Sequence, residues 1–284
     1  MIRPRSRSGK ARAALLALVA ALAFGLPETA RAQGGPPLIT DDPDTPGPGY
    51  WEVNLFGFLQ RSRQQRLWEE PRVDLNYGVG RRIQLKLEAP WLRAHQVGGT
   101  TVSGAGDAQL GVKWRFLGEE GRKVAWSVYP QFAFNTSDAS VRKGLVEDGH
   151  QLFLPTELTL EILHVELNLE VGRNLVEHGE DAWECGISTE AGVARGLELL
   201  GELHEEKTSS APAEVLFNLG ARYKVTRRFT LMLAAGHAFR GPGEERPRLL
   251  FLAGIQLNLP GTYRFGGREL PAEAHARPVR RGLT

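Results

Sequence analysis

The chain has 284 residues, of which 42% are hydrophobic and 24% charged, and its formal net charge is +2. Its first 32 residues carry six Lys or Arg and one Glu, so the remainder carries a net charge of about −3. This acidic balance argues against nucleic acid as a partner. A single cysteine, Cys185, excludes an intrachain disulfide, and its apolar neighbours at alternate positions favour a hydrophobic packing role over a reactive thiol.

Residues 1–32 predict a cleavable secretory signal. Basic residues precede an apolar run from Ala13 to Leu26, and Ala30-Arg31-Ala32 matches an A-x-A cleavage site. The run is shorter than the roughly 20 residues that a membrane-spanning helix needs. We therefore expect the mature chain to begin at Gln33, with a retained membrane anchor as the alternative.

Residues 33–49 are rich in Pro, Gly and Asp, a composition that holds neither a regular helix nor a central strand. We expect an extended periplasmic lead-in. Asp41, Asp42 and Asp44 favour turns here, and a calcium site is the alternative. The Gly and distal Glu of a complete calcium loop are missing, so neither a metal nor a cofactor is predicted.

From residue 50 to residue 259 a period-two alternation of apolar and polar residues recurs twelve times, which predicts twelve strands. In the arm from Ala213 to Val225 every second residue is apolar, whereas Asn218 and Arg222 fall in the other frame. Unpaired strand edges in hydrocarbon cost several kcal/mol per backbone group. The predicted fold is therefore all-β, a closed antiparallel transmembrane β-barrel with up-and-down topology, in which the twelfth strand pairs with the first.

Connection lengths and aromatic residues also favour a barrel over a soluble sandwich. The predicted connections alternate between long and short, as they do in bacterial outer-membrane barrels. Large aromatic residues cluster near the predicted strand ends, where they would form two girdles at the membrane interfaces. The predicted girdle consists of Trp51, Tyr77, Trp91, Trp114, Trp126, Trp183, Tyr223 and Phe229.

If the apolar frames face lipid, the polar frames line an interior with two charged walls. The predicted acidic wall comprises Glu157, Glu161, Glu166, Glu170, Glu184, Glu190, Glu198 and Glu202. The predicted basic wall comprises Arg72, Lys86, Lys113 and Arg115. Opposed walls could hold a transverse field across a wet path. Alternatively, they could pair directly and fill the interior around a narrow passage. The excess of Glu predicts a weak preference for cations.

Three segments carry a resemblance to a known family. "PPLITDDPDTPGPGYWEVNL" resembles the start of outer-membrane transporters named for the meta-pathway of phenol degradation, and "GAGDAQLGVKWRF" is similar to their recurring strand motif. "FNLGARYKVTRRFTLMLAAGHAFR" is similar to their penultimate hairpin. The resemblance implies a β-barrel that passes small, often aromatic molecules. Residues 260–284 depart from it, because such barrels end on an aromatic residue of the last strand, and we expect a basic periplasmic tail there.

These observations predict an exported bacterial outer-membrane channel or transporter for small solutes, aromatic or hydrophobic compounds among them. Its expected partners are outer-membrane lipid, the small-molecule solute and the barrel-insertion machinery. A non-conducting structural barrel is the first alternative, and an outer-membrane enzyme that modifies lipids with a serine and a histidine is a less favoured one. We do not predict an enzyme, because His237 and Ser188 fall in opposite frames and the sequence contains no GxSxG, HExxH or CxxC motif.

Overall fold

The computed structural model describes residues 35–119, 123–162, 165–244, 246–265 and 268–271, so the predicted signal lies outside the described residues. These residues are almost entirely β-structure, with one short helix, α1, at Asp138–Arg142. The strands are β1 (Tyr50–Arg61), β2 (Gln65–Val79), β3 (Ile83–Gln96), β4 (Thr101–Ala105), β5 (Ala108–Leu117), β6 (Val124–Val128), β7 (Gln131–Phe134), β8 (His150–Ile162), β9 (Val165–Val176), β10 (Ala182–Ala194), β11 (Leu197–Thr208), β12 (Glu214–Lys224), β13 (Phe229–Arg240), β14 (Leu249–Pro260), β15 (Thr262–Phe265) and β16 (Arg268–Pro271).

Strands β1 to β14 form one closed antiparallel barrel of twelve strands, as the sequence predicted. Two barrel strands are each broken once. Strands β4 and β5 both pair with β3, and strands β6 and β7 both pair with β5 and β8. The break between β6 and β7 falls at Pro130, which has no backbone N–H to donate to the ladder. Strand β14 pairs with β1 from Pro260 opposite Tyr50 to Leu249 opposite Arg61, which closes the barrel.

The two faces of the barrel wall differ in polarity. Apolar side chains point outward and are exposed, for example Leu219 at 55% and Trp114 at 52%. The charged side chains of Glu157 and Glu198, by contrast, point inward and are fully buried. This arrangement is the inverse of a soluble protein, and it places an apolar exterior against acyl chains while the polar groups stay inside.

The predicted alternation of loop lengths is only partly present. The longest connection, residues 135–149 with helix α1, lies at the end of the barrel that also holds connections 97–100, 177–181, 209–213 and 241–248, and we call this the long-loop end. The connection 62–64 lies there too but is as short as the turn 80–82 at the opposite, short-turn end. Strands β1 and β2 continue past the last residues of their apolar alternation, so the connection between them, 62–64, is shorter than the alternation predicted.

The predicted aromatic residues lie near both rims. At the short-turn end, the rings of Trp51 and Tyr77 are 4.7 Å apart between centroids, and Phe116 lies between Trp114 and Trp126 at 5.8 and 5.4 Å. Tyr223 and Phe229 flank the turn 225–228 at the same end, whereas Trp91 and Trp183 are half-exposed toward the long-loop end.

Beyond the barrel, β15 and β16 form a separate two-stranded sheet, and residues 272–284 of the predicted tail lie outside the described residues. Among the described residues, no helix is long or apolar enough to cross a bilayer.

Candidate functional site

Residues 35–49, which we call the plug, occupy the interior of the barrel. The sequence predicted a periplasmic lead-in at this position, and the structure instead places the segment against inward-facing side chains of the barrel wall. The plug has no helix or strand, as its composition predicted, and Leu38, Thr40 and Asp42 within it are buried. It must therefore obtain hydrogen-bond partners for its backbone from the wall.

The acidic wall accepts hydrogen bonds from the tip of the plug. The backbone N–H of Ile39 donates to Oε1 of Glu202 over 3.0 Å, and the backbone N–H of Thr40 donates to the same oxygen. The backbone N–H of Asp41 donates to Oε2 of Glu170 over 3.2 Å. Both carboxylates lie near the middle of their strands, so the tip reaches about half-way along the lumen.

Two residues of the predicted basic wall bind the acidic side chains of the plug. Lys113 Nζ lies 2.9 Å from Asp41 Oδ1 and 3.4 Å from Glu157 Oε2 on the barrel wall. Arg115 donates to Asp44 Oδ1 over 2.6 Å. These contacts give the carboxylates of Asp41 and Asp44 ionic partners. No group of three His, Cys, Asp or Glu side chains in the described part of the chain is arranged to hold a metal ion.

Arg222 holds the other limb of the plug and was not part of the predicted basic wall. Its guanidinium donates to the backbone oxygens of Gly35 over 3.0 Å and Pro36 over 2.9 Å, and to Glu190 over 2.9 Å. Arg115 and Arg222 both lie near the short-turn end. The plug therefore enters from that end, reaches its tip near mid-lumen and returns toward the same end.

Close packing at one glycine fixes the tip of the plug against strand β10. A Cβ atom added at Gly186 would lie 2.2 Å from Thr40 Oγ1 and 3.0 Å from Thr40 Cβ. Any larger residue would therefore overlap with Thr40, which is itself buried. Gly186 leaves the space that the tip occupies.

The remaining predicted basic residues pair with acidic neighbours on strands β2 and β3 rather than across the lumen. Arg72 lies 2.9 Å from Glu69 and also forms an ion pair with Glu88, and Lys86 lies 3.0 Å from Glu88 and 3.9 Å from Asp74. Direct pairing of this kind was one of the two interpretations of the charged interior. Because these charges are neutralised locally, little remains of the transverse electric field between an acidic and a basic wall that the other interpretation requires.

The other predicted acidic residues occupy separate places on the inner face. Glu198 lies 2.7 Å from Lys224, and Glu184 lies 3.8 Å from Nε2 of His204. Glu161 and Glu166 are directly opposite each other on β8 and β9, near the short-turn end, and are partly exposed.

An apolar strip on the inner face was missed by sequence reasoning. Its inward-facing side chains come from β1, β12, β13 and β14, and they are Phe56, Phe58, Leu216, Met232, Ala234, Ala238, Leu250 and Leu252. The signal was present in the sequence, because these residues share a frame with the polar Asn54, Asn218 and Gln256. They were missed because apolar residues were assigned to the lipid-facing side of the wall.

A cavity of about 300 Å³ lies between this strip and the tip of the plug. Phe56, Phe58 and Leu252 line its apolar side, and Arg72 and Glu88 line its polar side. The cavity is therefore amphipathic, with an apolar body and one charged but internally paired end.

A second, wider space of about 700 Å³ opens at the long-loop end above the same side of the barrel. It is lined by the side chains of Gln60, Gln64, Gln65 and Gln96 together with loop residues. Gln60 is two residues beyond Phe58 on the inner face of β1, a step of about 7 Å along the strand. The two spaces thus lie one above the other, and we call the wider one the vestibule.

The serine and histidine that would be needed for lipid hydrolysis lie on opposite faces of the wall. Ser188 points inward and is 1% exposed, whereas His237 points outward and is exposed. They cannot act on one substrate.

The fold is that of bacterial outer-membrane β-barrels. The chain is similar to the COG4313 outer membrane channel from Pseudomonas putida F1, with a TM-score of 0.60 and 12% identity over 78% of this chain and 100% of that one. It is also similar to the NanC porin, with a TM-score of 0.55 and 7% identity over 73% and 100% of the two chains. The KdgM porin, solved in complex with disordered oligogalacturonate, gives a TM-score of 0.51 and 10% identity over 72% and 98%. No family model and no curated protein matches the sequence.

Proposed function

We propose that the protein is an outer-membrane channel that passes small, mainly apolar solutes, aromatic compounds included, and that the plug closes its route. The observation that carries this proposal is the cavity between the plug tip and the inner apolar strip. The proposal agrees with the channels and porins that share the fold. It also agrees with the family resemblance of the sequence, although no family model supports that resemblance.

The route runs along one side of the barrel. Long loops lie outside the cell and short turns in the periplasm in barrels of this kind. A solute would then enter through the glutamine-lined vestibule and reach the apolar cavity beneath it. The opposite side of the lumen is occupied by ion pairs such as the one between Lys113 on β5 and Glu157 on β8. The route therefore follows β1 to β3 and β12 to β14.

The size and lining of the cavity favour a compact solute with an apolar body. A volume of about 300 Å³ is at the small end of ligand sites. At the polar end of the cavity, the cations Arg72 and Lys86 are paired with three carboxylates, so the end offers no surplus positive charge to an anion. Arg72 pairs with Glu69 and Glu88, and Lys86 pairs with Glu88 and Asp74. A neutral molecule with one hydrogen-bonding group fits this combination.

Passage requires the tip of the plug to leave the centre of the lumen. The contacts at the tip are backbone hydrogen bonds to Glu202 and Glu170 and an ion pair between Asp41 and Lys113. None of them is covalent, and both limbs of the plug point toward the short-turn end. The plug can therefore withdraw toward the periplasm without disturbing a strand.

Filling the cavity should block the solute route. We expect Ala234→Phe to lower the uptake of radiolabelled phenol about tenfold in energy-depleted cells that lack the native gene, because the phenyl ring would occupy space that the solute needs. A tenfold loss corresponds to weakening solute binding in the cavity by about 1.4 kcal/mol. Ala234 lines the cavity, and its neighbour Ala235 points outward and is exposed. Ala235→Phe is the matched control and should leave uptake unchanged.

Planar-bilayer recordings of the refolded mature protein distinguish the channel from the alternative. If the protein is a channel, it gives discrete conductance steps in the bilayer. Cells from which its gene is deleted then take up less phenol. A barrel that neither conducts nor changes uptake on deletion would be a structural element of the membrane, and the channel proposal would then be abandoned.

A further inference from the structure

A patch of basic side chains lies on the outer face of the barrel, where it meets neither the lumen nor the plug. Arg61 is directly opposite Arg66 across β1 and β2, and Arg66 is directly opposite His95 across β2 and β3. Arg93 is two residues before His95 on the same outward face. We call these four residues the outer basic patch.

The patch carries positive charge that the described part of the protein does not neutralise. Arg93 pairs with Glu70, an exposed residue at the bulge of β2, and stacks over the ring of Trp68 at 5.0 Å. Within the described residues, the exposed side chains of Arg61 and Arg66 make no hydrogen bond and no ion pair. Like charges directly opposite on neighbouring strands destabilise a sheet, so this pair calls for an anion from outside the chain.

The height of the patch identifies the environment that supplies the anion. Arg61 is ten residues from Trp51 along β1, which corresponds to about 25 Å along the membrane normal for a tilted strand. Because Trp51 lies at the girdle of the short-turn end, Arg61 and Arg66 lie at the opposite boundary of the apolar band. Trp91, half-exposed on β3, marks this boundary and lies two residues before Arg93 on the same face of the strand.

We propose that the outer basic patch binds the phosphate groups of an outer-leaflet glycolipid, with Arg61 and Arg66 as the principal ligands. The outer leaflet of the bacterial outer membrane is built from a glycolipid whose headgroup carries phosphates at this depth. Paired guanidinium groups match phosphate oxygens in charge and in bidentate geometry. Basic clusters at a membrane surface gain about 1 kcal/mol for each Lys or Arg near anionic headgroups.

The test measures binding of lipid A to the purified, refolded mature protein in a neutral detergent with EDTA, by native mass spectrometry. Wild-type protein should bind lipid A with two phosphates more tightly than enzymatically dephosphorylated lipid A. The double variant R61Q/R66Q should bind the phosphorylated form roughly 30-fold more weakly and lose the difference between the two forms.

The control variant is R81Q/R82Q, which removes the same charge from the turn 80–82 at the opposite rim and should bind as wild type does. The variant R61K/R66K keeps the charge, and it should bind with intermediate affinity because lysine cannot bind phosphate bidentately. It provides a second readout if R61Q/R66Q does not fold. Equal binding of both lipid forms, or wild-type binding by R61Q/R66Q, would overturn the proposal. Complete displacement of the lipid by equimolar inorganic phosphate would overturn the assignment to a lipid.

Discussion

Replacing Gly186 by leucine is expected to displace the tip of the plug and to raise the open fraction of the channel about tenfold. The leucine side chain would occupy the position of Thr40, and forcing extra atoms into a packed site costs about 1–3 kcal/mol. The strain falls on the plug rather than on the sheet, because Gly186 points into the lumen. The measurement is single-channel recording in planar bilayers, with the number and duration of open events compared with wild type.

The matched control for this prediction is Gly201→Leu. Gly201 lies on the neighbouring strand β11, and a Cβ atom there would make only ordinary contacts, 3.6 Å from Leu219 and 3.8 Å from Thr189 on the outer face. This variant should record as wild type does. If Gly186→Leu folds, as judged by its heat-modifiable migration in gels, and still records as wild type does, the plug does not control the opening.

Replacing Lys113 by methionine is expected to lower the free energy of unfolding by about 3 kcal/mol or more. Lys113 and Glu157 are both buried, and removing one partner of a buried ion pair leaves an uncompensated charge that costs about 3–5 kcal/mol. The same substitution releases Asp41 of the plug, so conductance should also rise. Urea unfolding of the protein in lipid vesicles measures the first effect.

Two variants separate this effect from a general loss of charge. The triple variant D41N/K113M/E157Q removes the stranded carboxylates and should recover most of the lost stability. Arg63→Gln breaks a loop ion pair with Glu244 whose side chains are more than half exposed, so it should change the free energy of unfolding by less than about 1 kcal/mol. A Lys113→Met protein as stable as Arg63→Gln would show that the lysine does not hold the lumen together.

The barrel itself could be predicted from the sequence because its physical cause is local. Lipid on one side of the wall and polar groups on the other impose a period of two on every strand, and twelve such segments imply closure in hydrocarbon. The pairing of β1 with β14 follows from that argument and is present. Strand ends were less predictable, because beyond the apolar band the alternation fades while the ladder continues, as between β1 and β2.

The plug could not be predicted, because nothing in residues 35–49 is periodic. Its position depends on partners far away in the sequence, such as Glu202 for Ile39 and Arg222 for Pro36. The inner apolar strip was missed for a different reason. Phe56 and Leu252 occupy alternate positions that are otherwise polar on their strands. The period of two predicts which face of the wall a side chain lies on, but it does not predict that every inward side chain is polar.

Both ends of the plug, at Gly35 and Gly49, lie toward the short-turn rim, so within the described residues the plug does not run through the barrel from one rim to the other. Gly49 at the base of the plug accepts a hydrogen bond from Gly261, just past the end of β14, over 2.7 Å, which places the base of the plug beside the seam between the first and last strands. Strands β1 and β14 can therefore pair during assembly while the plug is still outside the lumen, and the plug can enter the lumen afterwards. Assembly then needs no step in which the closed barrel reopens to let the plug in.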